Sequence, residues 1–100
     1  MKIEFKILNQ GVVDSYIYSK EAFYHNDQEI IINDKMSQLV HLVSLTSEWD
    51  KNKMEEVGYS FYVLVETGDY YQEYYFGNRY LPNNFSLFAH EVKRLALEVK

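Results

Sequence analysis

The chain has 100 residues and a mass of 12.0 kDa, with 47% hydrophobic and 17% aromatic residues, one proline and no cysteine. That is material for one core, and it excludes a disulfide scaffold, thiol catalysis, zinc–thiolate sites and iron–sulfur clusters. Ten Lys and Arg against fifteen Asp and Glu leave a net charge of −5 with histidines neutral, without the basic stripe that a nucleic-acid backbone requires.

No apolar run approaches the roughly 18–20 residues that cross a bilayer. The opening Met1-Lys2-Ile3-Glu4-Phe5-Lys6 alternates as a strand does, unlike a signal peptide. A single domain over residues 1–100, cytoplasmic, with no nucleic acid, membrane or cofactor to bind, is the expectation. The sequon Asn84-Phe85-Ser86 then has no glycosylation machinery to meet.

Ile3, Phe5 and Ile7 alternate with Lys2, Glu4 and Lys6, which predicts a strand with one wet face. Asn9-Gln10-Gly11 reads as a three-residue loop with glycine at the positive-φ position. Pairing residue 8 with 12 sets Phe5 against Ser15 and Ile3 against Ile17 inside, and Lys6 against Asp14 outside, with Tyr16 and Tyr18 turned outward. Residues 19–27 have no decisive pattern beyond a turn, and Gln28 to Asn33, with three consecutive isoleucines, predicts a short third strand. Asn33 or Asp34 would cap a helix from about Lys35, with Met36, Leu39, Val40, Leu42, Val43 and Leu45 as its apolar side, ending between Ser47 and Trp49. Glu48 to Glu56 is a charged connector, and its carboxylate pair Glu55-Glu56 reads as solvated loop.

A second hairpin follows. Tyr59, Phe61, Val63 and Val65 alternate with Ser60, Tyr62, Leu64 and Glu66, Thr67-Gly68 turns, and Asp69 to Phe76 returns. Pairing residue 65 with 70, through a two- or four-residue loop, keeps Tyr70, Gln72, Tyr74 and Phe76 on the core side and sends Tyr71, Glu73 and Tyr75 outward beside Tyr62 and Leu64; a one-residue slip would bury Glu73 against Val63. After Gly77-Asn78, Leu81-Pro82-Asn83-Asn84 opens a helix with the stripe Phe85, Phe88, Val92, Leu95 and Val99. The order ββ(β)αββα predicts an α+β fold of two layers: an antiparallel sheet of four or five strands, with both helices on one face and the other face open.

Motifs for chemistry are sparse. There is no G-x-G-x-x-G and no P-loop. His25, His41 and His90 have no metal-ligand spacing. Ser44 stands one helical turn from His41, but a regular helix offers neither an oxyanion hole nor an orienting acid. Trp49 reads as a plug at the edge of the core.

What the chain has in excess is tyrosine, ten residues with six of them between 59 and 75. In the predicted registers Tyr16, Tyr18, Tyr62, Tyr71 and Tyr75, with Leu64 and Glu73, form one exposed face whose charges are Lys2 and Lys6 against Glu4, Asp14, Glu66, Asp69 and Glu73. Tyrosine covers contact area at low entropic cost, so this face is a candidate for receiving a basic protein surface. The same rings also make good strands and stabilise hairpins by cross-strand pairing.

The stretch Tyr59-Ser60-Phe61-Tyr62-Val63-Leu64-Val65, then Gly68, Tyr74-Tyr75-Phe76, Pro82 and the helix from Phe85, resembles emfourin, the small cytosolic inhibitor of thermolysin-like metalloproteases. Met1-Lys2-Ile3-Glu4-Phe5 is similar as well, so that the likeness covers roughly half of the chain. The glycine-rich stretch expected after the first strand is reduced to Gly11, and no inhibitory residue is carried over. Small immunity and phage accessory proteins share the size, acidity and tyrosine content by analogy.

The sequence therefore supports a non-enzymatic protein-binding module of inhibitor or immunity type. Two alternatives come from other classes. One is a homodimer formed through the sheet face or an edge strand. The other is a small-ligand domain or enzyme with a cleft near His41 or His90.

Overall fold

The computed structural model describes residues 1–19, 22–31, 35–50, 54–55 and 57–97, the side chains of Lys35 and Met36 excepted. The predicted caps Asn33 and Asp34, the helix position Val99 and the acidic residue Glu56 lie outside the described residues. The elements are β1 (Lys2–Asn9), β2 (Val12–Ser19), β3 (Ala22–His25), β4 (Gln28–Ile30), α1 (Lys35–Thr46), β5 (Phe61–Thr67), β6 (Tyr70–Phe76) and α2 (Phe85–Leu97). Among the described residues six antiparallel strands form one open sheet in the order β4-β3-β2-β1-β5-β6. The fold is α+β, with one strand more than the largest sheet expected.

The extra strand comes from residues 22–25, which had carried no decisive pattern. Ala-Phe-Tyr-His is too short to show alternation, but Asn26 and Asp27 take positive φ (52° and 70°) and close a two-residue hairpin onto β4. β4 itself stops at Ile30.

The first hairpin departs from its predicted register by one residue. Gln10 and Gly11, with φ of 51° and 83°, make a two-residue turn of the kind whose twist matches the flanking strands, so Asn9 pairs with Val12 instead of entering the loop. Phe5 now lies opposite Tyr16 and Ile3 opposite Tyr18. A slip of one residue reverses every side chain: Tyr16 (5% exposed) and Tyr18 (1%) are buried under the helices, while Val13 and Ile17 turn to the open face. The predicted outward placement of both tyrosines is thus corrected, and so is the Lys6–Asp14 pair, since Lys6 pairs with Ser15 and Asp14 with Ile7. The physical reason is volume. The observed register fills the core beside Phe5 with a tyrosine ring stacked at 5.9 Å, where the predicted one would have placed a serine.

Within β5 and β6 the second hairpin keeps its predicted faces, whereas Tyr59, which the alternation set with Phe61, lies ahead of β5 and meets Tyr75 of the open face. Thr67 pairs with Tyr70 around Gly68-Asp69, two residues away from the expected 65–70 pairing, and an even shift leaves the alternation intact. Gly68 (φ 54°) occupies the first turn position, where a type II′ turn calls for glycine.

Both helices cover the face carrying Ile3, Phe5, Tyr16, Tyr18, Phe23, Val63, Val65, Tyr74 and Phe76. α1 contributes Leu39, Leu42 and Leu45 at helical spacing, and α2 contributes Phe85, Phe88, Val92 and Leu95. Phe5 on the central strand meets Phe85 and Phe88 edge-on at 5.9 and 5.5 Å. Beyond the end of α1, Trp49 packs against Tyr74, Phe76, Phe85 and Phe88 and donates its indole N–H to the Asn83 carbonyl at 2.9 Å, the plugging role read from the sequence. Among the described residues no helix is long and apolar enough to cross a membrane.

Candidate functional site

With both helices on one side, the reverse of the sheet has no second layer among the described residues. Its side chains follow from the registers. β1 presents Lys2, Glu4, Lys6 and Leu8, β2 presents Val13, Ser15 and Ile17, and β3 presents Tyr24. β5 adds Tyr62, Leu64 and Glu66, each directly across from Tyr75, Glu73 and Tyr71 of β6. Of the seven residues expected to form a binding face, the structure brings together Tyr62, Leu64, Tyr71, Glu73 and Tyr75 and removes Tyr16 and Tyr18. In their place come Leu8, Val13, Ile17, Tyr24 and Tyr59. Val13 and Ile17 were hidden from sequence reasoning by the register slip alone, and the dipeptide Asn26-Asp27 was the available signal for the strand carrying Tyr24.

The face has two parts. Around Tyr62 it is tightly bonded: its hydroxyl donates to Glu73 Oε2 at 2.6 Å, its ring leans on Tyr75 at 5.3 Å, and Tyr75 meets Tyr59 edge-on at 5.1 Å. Burial, then the hydrogen bond to Glu73, pushes the Tyr62 phenol well above the usual tyrosine value and keeps it a neutral donor. The Lys6 ammonium sits 5.8 Å from the Tyr62 ring centroid, in cation–π range. Lys6, Tyr59, Tyr62 and Tyr75, with Glu4, Leu8 and Val13, line a shallow hollow of about 300 Å³. Leu64 is only 6% exposed and acts as floor beneath its neighbours.

Towards the β5–β6 turn the face is open and acidic. Tyr71 is 59% exposed, Glu66 directly opposite it is exposed, and Glu73 stands two residues on along the same strand. Partial loss of solvation, then the carboxylates of Glu73 and Glu66, raise the Tyr71 phenol above its ordinary value. Lys2, across from Glu66, is engaged by Glu4 at 3.3 Å. Among the described residues neither Glu66 nor Glu73 forms an ion pair.

His41 and His90 are exposed, line none of the four main hollows, and belong to no metal-capable cluster among the described residues. The Ser44 hydroxyl donates to the His41 backbone carbonyl at 2.7 Å, a local helix bond that leaves the imidazole out. His25 stacks on Tyr16 at 4.3 Å, and its Nε2 lies 2.7 Å from Asp14 Oδ1. Asp14 also accepts from the Tyr16 hydroxyl (2.9 Å) and from Asn26 Nδ2 (2.8 Å). This group buttresses two hairpins. Glu55 is half-buried and bonded to Arg79 at 3.0 Å.

Comparison of the chain with protein-family models, with curated proteins and with solved structures returned no match.

Proposed function

We propose that the protein is a non-enzymatic binding module of inhibitor or immunity type, which receives a basic protein surface on the open face of β1, β5 and β6. One observation carries this reading: on a face that neither helix covers, Tyr59, Tyr62, Tyr71 and Tyr75 gather beside Glu66 and Glu73. Tyrosines are enriched at interfaces because they bury area with few rotors, and uncompensated carboxylates select a basic partner. Inhibition of a thermolysin-like metalloprotease, the activity that the emfourin resemblance implies, is one role of this kind. In this reading the protein acts in the cytoplasm.

The test is capture of a partner from the native host, identified by mass spectrometry, with the wild-type chain and with a Tyr62→Ala/Tyr71→Ala/Tyr75→Ala variant. A partner held by the wild type and lost by the variant is the expected result. Because Tyr62 and Tyr75 are half-buried, the milder Tyr71→Ala/Glu66→Lys variant, altered only at exposed positions, is run beside it and should weaken capture without shifting the melting temperature. Capture untouched by both variants would sink the proposal.

Homodimerisation through an edge strand is the competing reading, and the edges argue against it. The closing pair of a two-residue hairpin is hydrogen-bonded, so Tyr71, Glu73 and Tyr75 direct their backbone groups to the free side of β6. Two of those three carbonyls are already engaged, Tyr75 by the Glu55 N–H and Glu73 by the Gln72 side chain, each at 2.8 Å. The other edge, β4, is three residues long with Glu29 at its centre. Short, charged or self-capped edges are how sheets avoid edge-to-edge pairing.

A further inference from the structure

The docking reading leaves the chemistry of the partner's anchor open, and the turn end of the face narrows it. Two features coincide there: the exposed Tyr71 ring, whose hydroxyl is bonded to Glu73, and two carboxylates with no ion pair among the described residues. Glu66 is the cross-strand neighbour of Tyr71, which places the side-chain bases about 5 Å apart. Glu73 is on the same face two residues along β6.

The same face already holds a filled version of this arrangement. At Tyr62 the ring, the carboxylate of Glu73 bonded to its hydroxyl, and the Lys6 ammonium over the ring make a tyrosine–carboxylate–cation set within one molecule. At Tyr71 a ring bonded through its hydroxyl to the same Glu73 stands beside a second carboxylate, Glu66, and among the described residues no cation lies over this ring.

We infer that Tyr71, Glu66 and Glu73 form a receptor for one arginine side chain of the protein partner, with the guanidinium lying on the Tyr71 ring and its N–H groups donating to the two carboxylates. This rests on the docking reading. Arginine fits better than lysine because its planar, weakly hydrated cation stacks on a ring and forks to carboxylates simultaneously, whereas an ammonium is a compact and strongly hydrated point charge. A second copy of the chain is a poor source. Its two arginines, Arg79 and Arg94, are bonded to Glu55 and Glu91 away from this face.

The test needs no partner. Amide shifts of isotope-labelled protein are followed at low ionic strength during titration with N-acetyl-arginine amide, with the lysine analogue, and with the neutral isostere N-acetyl-citrulline amide. Saturable shifts centred on residues 66, 71 and 73 are expected with arginine, at least several-fold weaker binding with lysine, and none with citrulline. Tyr71→Phe, which keeps the ring, should retain binding, whereas Tyr71→Ala and Glu66→Gln should each weaken it about tenfold. Equal responses to arginine and lysine, shifts centred elsewhere, or binding that survives Tyr71→Ala would overturn the inference. Failure here with partner capture intact would leave the docking face standing with a different anchor; arginine binding with no capturable partner would remove the docking reading and keep the receptor.

Discussion

Trp49 ties three parts of the chain together, since its ring touches β6 and α2 while its N–H holds the loop carbonyl of Asn83. Trp49→Ala should cost about 3–5 kcal/mol, the usual loss for deleting a large buried ring. Trp49→Phe keeps much of the packing but leaves that carbonyl without its donor, and about 1–2 kcal/mol is expected. Both are read by urea denaturation followed in the far-ultraviolet, because the chain's single tryptophan is the residue removed. Asp14 gives a pH-dependent counterpart. Burial would raise its carboxyl, but the hydrogen bonds from His25, Asn26 and Tyr16 prevail and hold it below the ordinary 3.8. A depressed folded value means that the stabilisation is fully present above the unfolded value and fades as pH falls through the folded one. Asp14→Asn should therefore be less stable than wild type at neutral pH, by about 1 kcal/mol given the site's partial exposure. The gap should close as pH falls below 3.8. A gap that stays constant from pH 7 to pH 3 would show that the charge is not what matters there.

At the scale of elements, turns decide which residues each strand presents. Gly11 at φ 83° belongs to a conformation that L residues adopt only under strain, although a Cβ there would meet no atom within 4 Å. Gly11→Ala should then cost about 1 kcal/mol through backbone strain alone, seen as a lower urea midpoint with an unchanged slope. The two hairpins also explain why one candidate face was legible and the other was not. In β5 and β6 a wrong register would bury Glu73, so the charge pattern identifies the faces whether the loop has two residues, as observed, or four. In β2 the alternating sets Val13, Ser15, Ile17 and Asp14, Tyr16, Tyr18 are similarly apolar, and nothing local chooses between them. The choice fell to the turn, and a loop one residue too long reversed Tyr16 and Tyr18.

For the whole molecule, the guarded edges bear on association. Gln72 occupies the outward carbonyl of Glu73, so Gln72→Val should free it and raise the strand propensity of the edge together. Concentration-dependent light scattering is expected from that variant, and a mass of 12.0 kDa at all concentrations from the wild type. The overall extents, 36 × 32 × 21 Å, match one sheet backed by one layer of helices. That architecture was legible, because strand and helix periods differ and the amphipathic stripe of α2 has only one apolar side to bury. The two-layer class, the faces of the second hairpin and the acidic tyrosine cluster of β5 and β6 were determined by the order of residues, through the periodicity of near neighbours. The phase of the first hairpin, the pairing of β1 between β2 and β5, and the burial of Tyr16 and Tyr18 were decided only in three dimensions. Whether a ring belongs beneath a helix depends on the volume that Phe5, Phe85 and Phe88 leave to be filled, and those residues meet only when the chain has folded.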